Sequence, residues 1–374
     1  MEEIYLGGNK FEGPLPSNLS AANLRIMNLP NKVSHPSIHY SNYPSLCEQC
    51  RYSPNKLSGN LNASYWNTSS LFSLDVASNS LTGDIDPAVC NLTSLLFLDM
   101  SDDDFAGSIP NCNGNIILEL LNMSGNSISG SPCVFFNCSR IEVLDLSYNQ
   151  FIGTLDWTQY LSQIMMLLLG GNLFEGRLSP NLCNLQFFTI IDLSDNRLVG
   201  SLPPCIGGMS FGYHADDLDV LFGTFFFYSG DLTSTSTQFG LEGFTFFTKG
   251  NSYTYDRSFV TMMMFGIDLS RNMLSGEIPW EAGNMSRINQ PCKYECTRKF
   301  GLLSSLEVFS VAYNNLSGCI PDSGQFGTFN MESYKGNKNL KNMSLDHRCS
   351  VGSGPVSTTL EDIAEISDDP ILYV

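Results

Sequence analysis

Positive charge is scarce in this chain. Of its 374 residues only 15% are charged, and 19 Lys and Arg stand against 37 Asp and Glu, a net formal charge of -18. A surface so acidic repels phosphate, which argues against nucleic acid as a partner. Histidine is sparse as well: His35, His39, His214 and His347 are scattered, with no Gly-x-Ser-x-Gly elbow, His-Glu-x-x-His pair, phosphate-cradling glycine loop or kinase signature. The chain is therefore expected not to be an enzyme and to need no cofactor or metal. Long apolar runs are missing too. The stretches Leu218 to Tyr228 and Val260 to Ile267 fall well short of the ~18 to 20 residues that cross a bilayer. Met1 is followed by two glutamates and then by IYLGGNKFEGPLP, with no leader-like stretch between. The expectation drawn from that start is a piece of a longer protein.

What is abundant is one repeated unit. IEVLDLSYNQFIGTL (Ile141 to Leu155), FTIIDLSDNRLVGSLP (Phe188 to Pro203) and FGIDLSRNMLSGEIP (Phe265 to Pro279) share the pattern LxxLxLxxNxLxGxIP. Self-similarity at this period marks a solenoid. In LxL the two apolar residues are two apart, so on a strand both point inward and the residues beside them form an outward, concave row. Asparagine falls where the chain turns and can satisfy backbone groups of its own and the neighbouring coil. Glycine permits a tight left-handed backbone ahead of Ile-Pro. Each coil buries several large apolar side chains at roughly 1.5 to 3 kcal/mol apiece, but only against its neighbours. One repeat alone would not fold.

With the asparagine as mark, repeats fall at Asn9, Lys32, Asn55, Asn79, Asp103, Asn126, Asn149, Asn172 and Asn196, in steps of 23 or 24. The frame runs without a gap on this reading. In the unit marked by Asn55, Cys47, Cys50 and Tyr52 fall on core positions, so CEQC reads as core rather than as a zinc or redox pair. Cys90 and Cys183, each ahead of Asn-Leu, and Cys112 and Cys205, each after Ile/Leu-Pro-x, read as buried structural positions, their connectivity open. From Asn196 to Asn272 the step is 76, which implies about 50 inserted residues rich in aromatics and threonine. From Asn272 to Asn314 it is 42, read as a partly deleted coil in preference to a convex loop. The resulting division is repeats over 1–205, an insertion over 206–262, a shortened repeat block over 263–321, a cap over 322–350 and an acidic tail over 351–374. Sequons at Asn18, Asn62, Asn67, Asn91, Asn122, Asn137, Asn284, Asn315 and Asn342 favour a secreted, glycosylated chain.

Candidate contacts on the concave row are Glu3, Tyr5, Phe97, Asp99, Leu120, Val143, Met166 and Leu168, the apolar ones read as exposed without a packing reason. Asp75, Asp99, Asp145, Asp192 and Asp268 recur there as a carboxylate ladder, read as solvated strand residues rather than a Ca²⁺ site. A glycan at Asn122 would restrict this face.

LxGxIP units, an interruption near the C-terminal end, a short final repeat block, a GQF-TF-SY-GN cap and an acidic tail together resemble the plant leucine-rich-repeat receptor-like proteins. The resemblance implies an α/β solenoid, a plant-type leucine-rich-repeat right-handed superhelix with a parallel concave sheet and a non-repeat island. It implies a recognition ectodomain at the plasma membrane's extracellular face, anchored by a helix absent from this chain. It would bind a peptide or microbial protein and signal through a partner receptor kinase and a somatic-embryogenesis-type co-receptor kinase. Lys249 and Tyr255 fit the family's Lys-x5-Tyr island motif, with Tyr253 beside them. The alternatives are a secreted inhibitor of cell-wall-degrading enzymes and a truncated, non-functional product.

Overall fold

A computed structural model describes residues 3–15 (except 8), 24–30, 55–61, 66, 70–132 (except 114), 139–211 (except 186 and 187), 244–248, 251–255, 265–287 (except 285), 308–321, 326, 329–342 and 349. Its spine is a ten-stranded parallel sheet whose order follows the chain from Glu3–Tyr5 to Val308–Ser310. Each strand is three residues long, and pairing is in strict register: Leu121, Leu144, Leu167 and Ile191 follow one another across the sheet. These central residues point into the core, where they are at most 2% exposed. The core is one continuous apolar column, filled by the large side chains of Trp66, Phe105, Phe151, Phe174, Phe188 and Phe309.

After each turn the chain enters a second ribbon, split into a four-stranded and a seven-stranded parallel sheet. The glycine of LxG sits in this ribbon in the left-handed region, as at Gly153 (φ +101°) and Gly200 (φ +84°), where a side chain would be strained. The coil then returns through a short 3-10 turn, as at Pro180–Asn184, where Ser179 Oγ accepts from the Asn181 N–H at 3.3 Å. The helical component among the described residues is thus 3-10, tighter than the α-helix implied by an α/β class. Two disulfides cross this return side between consecutive coils, Cys90–Cys112 and Cys183–Cys205, and Cys319–Cys349 ties the last coil to the cap.

Asparagine joins coil to coil. Asn149 Oδ1 accepts from the Ile128 N–H of the preceding coil at 3.0 Å. Its Nδ2 donates back to the carbonyl of Met123 at 2.8 Å, and to Leu146 and Ser147 of its own turn at 3.3 and 3.2 Å. Asn126, Asn172, Asn196, Asn272 and Asn314 repeat the arrangement. An amide suits this place because it accepts on one atom and donates on the other.

The same bonds correct the repeat frame. Asn55 Nδ2 donates to Leu29 and Pro30 at 3.4 and 3.3 Å, so Asn55 turns the coil whose strand is Ile26–Asn28. That strand pairs directly with Ser73–Asp75, with no rung between them. Lys32 and Asn55 therefore mark one coil, not two. Residues 31–54, including Lys32 and CEQC, match the period in length but add no rung between those two strands, and they lie outside the described residues. The ladder passes equally over the two later irregularities. Ile190–Asp192 pairs with Gly266–Asp268, and the latter with Val308–Ser310. The 42-residue step thus adds a single rung rather than marking a deleted coil, and residues 288–307 within it lie outside the described residues.

Asp103 breaks the chemistry of the ladder. Its Oδ1 accepts from the Leu81 N–H at 2.8 Å as an asparagine would, but its buried Oδ2 has no partner. Register places the carbonyls of Val76, Met100 and Ser101 there, against which a carboxylate would be repelled. Burial, reinforced by Asp104 and Asp99, pushes its carboxyl up to about 8. The neutral acid is the form the fold favours. Its stabilisation is complete below the unfolded value of about 4 and is lost as pH rises to about 8.

Two outcomes are expected. Asn149→Ala leaves one amide and several carbonyls unpaired and should cost roughly 2 to 4 kcal/mol, read as a lower urea midpoint. Asp103→Asn should raise the melting temperature, with a gain over wild type that grows between about pH 4 and about pH 8 and is flat above.

Candidate functional site

The concave ribbon presents two outward columns. The first residue of each strand forms a mainly apolar one: Glu3, Ile26, Ser73, Phe97, Leu120, Val143, Met166, Ile190, Gly266 and Val308. The third forms a polar one: Tyr5, Asn28, Asp75, Asp99, Asn122, Asp145, Leu168, Asp192, Asp268 and Ser310.

Four of the apolar candidates are not exposed. Leu120, Val143, Met166 and Leu168 are at most 1% exposed and form, with Met165, Ile190 and Val308, a cluster separate from the main core. In-register rungs about 4.8 Å apart bring such side chains flank to flank, so the stripe packs on itself. Phe97 is half-buried at its end, with its ring edge-on to Phe72 at 5.3 Å. Glu3 and Tyr5 do remain exposed on the first rung.

The carboxylates are buried as well, not solvated. Asp99 Oδ1 accepts from the Ser101 N–H at 3.0 Å and its Oγ at 2.7 Å. Asp145, Asp192 and Asp268 accept in the same way from the N–H of Ser147, Ser194 and Ser270. Each caps its own turn, two residues on. In the seventh coil both change together: Leu168 replaces aspartate and Gly170 replaces serine, whereas Asp75 caps the N–H of Ala77 at 3.2 Å. Between coils Asn122 Nδ2 donates to Asp99 Oδ2 at 3.2 Å, and Asn28 Nδ2 to Asp75 Oδ2 at 3.1 Å. Burial pushes Asp145 and Asp192 up to about 7, Asp192 further through Asp268, and raises Asp99 and Asp268. Among the described residues no group of three His, Cys, Asp or Glu is placed to hold a metal.

Sequence reasoning passed over a third column, the residue directly ahead of each ladder asparagine. Ser78, Asp102, Gly125, Tyr148, Gly171, Asp195, Arg271, Tyr313 and Gly336 all have positive φ, between 50° and 83°. The backbone turns here towards the second ribbon; Ser78 is buried, but Asp102, Tyr148, Asp195, Arg271 and Tyr313 stand out beside the concave face. Tyr148 is 55% and Tyr313 48% exposed, and the Arg271 guanidinium carbon lies 5.4 Å from the Tyr313 ring centroid. The signal for the column was in the sequence: the variable x of LxLSxN, next to the most regular residue of the repeat.

Of the island motif, Lys249 lies outside the described residues. Tyr253 and Tyr255 belong to the strand Asn251–Tyr255, which pairs antiparallel with Phe244–Thr248; their side chains lie outside the description. Among the sequons, Asn91 and Asn315 are exposed and open to a glycan. Asn122 has its Nδ2 on Asp99 and its Oδ1 accepting from Ser124, so the nitrogen a glycan needs is engaged. Asn284 and Asn342 have described backbone only, and Asn18, Asn62, Asn67 and Asn137 lie outside the described residues. Among the described residues no helix is long and apolar enough to cross a membrane.

Because Met166 is packed rather than offered, Met166→Ala should cost about 2 to 3 kcal/mol in urea denaturation. A substitution that leaves stability unchanged would return Met166 to the exposed surface.

Comparison with known proteins agrees with this architecture. The Leucine Rich Repeat family model matches residues 188–209. The chain is 35% identical over 128 residues to putative receptor-like protein 8 of Arabidopsis thaliana, a match over 30% of this chain and 12% of that protein. Receptor-like protein 32 of the same plant is 38% identical over 96 residues, 24% of this chain and 11% of that protein. The chain thus matches only about an eighth of the length of these relatives. Among solved structures, the leucine-rich-repeat ectodomain of the Arabidopsis receptor kinase HAESA, in complex with a peptide hormone ligand, superposes with a TM-score of 0.53. Its identity is 20%, over 91% of this chain and 50% of that one, so it speaks for the fold alone. Repeat motif, stacked ribbon and matched segments together make this chain similar to the plant leucine-rich-repeat receptor-like proteins.

Proposed function

We propose that this chain serves in peptide or protein recognition, as part of the extracellular region of a cell-surface receptor-like protein. The observation that carries the reading is the long in-register ribbon flanked by a column of exposed, chemically varied side chains, from Asp102 to Tyr313. A scaffold whose rungs are fixed by buried hydrogen bonds can vary its outward residues without refolding, which suits recognition. Similarity to receptor-like proteins supports the cell-surface setting, and the fold shared with the HAESA ectodomain, which binds a peptide hormone, is one able to present a peptide-binding face. Signalling would pass through a partner receptor kinase and a co-receptor kinase, with Lys249, Tyr253 and Tyr255 of the insertion as further contacts.

The test uses the chain immobilised with its insertion intact, a panel of synthetic secreted-type peptides, and the soluble ectodomain of a somatic-embryogenesis-type co-receptor kinase. Saturable binding of one peptide, with recruitment of the co-receptor only in its presence, is the expected result. Lys249→Ala with Tyr255→Ala should then weaken recruitment without moving the melting temperature. Recruitment indifferent to every peptide and to both substitutions would overturn the reading.

A further inference from the structure

The left-handed column contains the same arrangement twice, with one member missing the first time. Towards the C-terminus its consecutive rungs are Asp195, Arg271, Tyr313 and Gly336; earlier they are Asp102, Gly125, Tyr148 and Gly171. In both, the glycine after the tyrosine makes room for the ring. A Cβ at Gly336 would lie 2.6 Å from Tyr313 Cδ1, and one at Gly171 would lie 2.7 Å from Tyr148 Cδ1. In both, an exposed aspartate stands two rungs ahead of the tyrosine. The rung between them differs. In the later set it is Arg271, whose guanidinium lies over the face of Tyr313. In the earlier set it is Gly125, so the equivalent face of Tyr148 has no cation of the chain's own on that rung.

The surroundings of that gap favour positive charge. Asp102 leans over Gly125, its Oδ1 2.6 Å from where a Cβ would stand, while its Oδ2 accepts from Ser78 Oγ at 3.4 Å, so the carboxylate closes the near side of the gap. Beyond it, burial raises the ionisation of the Tyr148 hydroxyl above the usual phenol range, and Asp192, Asp195, Asp145 and Asp268 add to that rise. A guanidinium in the gap would meet a carboxylate on one flank and an aromatic face on the other. The ring alone should strengthen binding by about two- to thirtyfold, the upper end where water is excluded.

We propose that the notch over Gly125, between Asp102 and Tyr148, receives an arginine side chain of a protein or peptide partner, held as Arg271 is held on Tyr313. The proposal rests on the recognition reading above and names one contact within it. Its test needs no knowledge of the partner, so a failed notch and a failed receptor reading are told apart.

The probe is N-acetyl-arginine methylamide, with the neutral citrulline analogue as control, titrated against the chain with its tyrosine rings isotopically labelled. Tyr148 signals are identified by their loss in Tyr148→Ala. They should shift saturably with the arginine probe, at least about fivefold more weakly with citrulline, and not at all in Gly125→Arg, which supplies the missing side chain internally. That substitution is compatible with the backbone, since Arg271 itself has φ 54° against 68° at Gly125. The contact at Asp102 is with the mobile end of a side chain. Unchanged Tyr313 signals report that the variant is folded, and Gly125→Ser, which adds no charge, should keep the response. Absence of a saturable shift at Tyr148, an equal response to citrulline, or an unaltered response in Gly125→Arg would each overturn the proposal.

Discussion

The structure depends on one buried hydrogen-bonding pair, the two ends of the asparagine amide. A solenoid has no global closure to hold its coils in place; each contacts only the next, so register must be re-imposed at every step. Apolar packing cannot do this alone, because burial is non-directional and tolerates sliding. The ladder asparagine accepts from the preceding coil's N–H and donates to its carbonyl, fixing separation and register together. Its further bonds to its own turn fix the direction in which the chain leaves the strand. Everything else on the ribbon inherits its position from that linkage.

From this follows a division of labour among neighbouring positions. The strand's central residue and the asparagine are inward and nearly invariant in chemistry. The aspartate at the strand's end, which reads as a surface acid, is instead committed to the turn through the serine two residues on. The residue squeezed between serine and asparagine is forced into the left-handed region, yet its side chain is the one that stands clear. Asp, Gly, Tyr and Arg all occupy it. The most strained backbone position of the coil is thus the one whose side chain is most free to change, and Gly125 and Arg271 mark the range of chemistry it holds.

Much of the fold was legible because LxxLxLxxN states the inward residues and the turn explicitly. What failed did so for identifiable reasons. The Lys32 and Asn55 marks were placed by period, and a stretch of one repeat length preserves period while adding no rung; only the direct pairing of Ile26 with Ser73 exposes it. Met166 and Leu168 were placed on the correct face, but alternation along a strand gives direction and not depth. Side-by-side packing of neighbouring coils is long-range and invisible in one repeat. The aspartates differ for a related reason: the backbone N–H that each caps lies two residues on in its own turn, a contact that the LDLS pattern does not state. The exposed column escaped notice because its residues share a backbone conformation and no side-chain chemistry.

The claim at the centre is that amide bonds between coils set the register. Amide hydrogen exchange measures it directly. The N–H groups of Ile128, Phe151, Phe174 and Leu198, which donate to Asn149, Asn172, Asn196 and Asn272, should exchange as slowly as those of the concave strands. Rapid exchange at these four, with the strands still protected, would mean that packing alone holds the coils and would contradict the account.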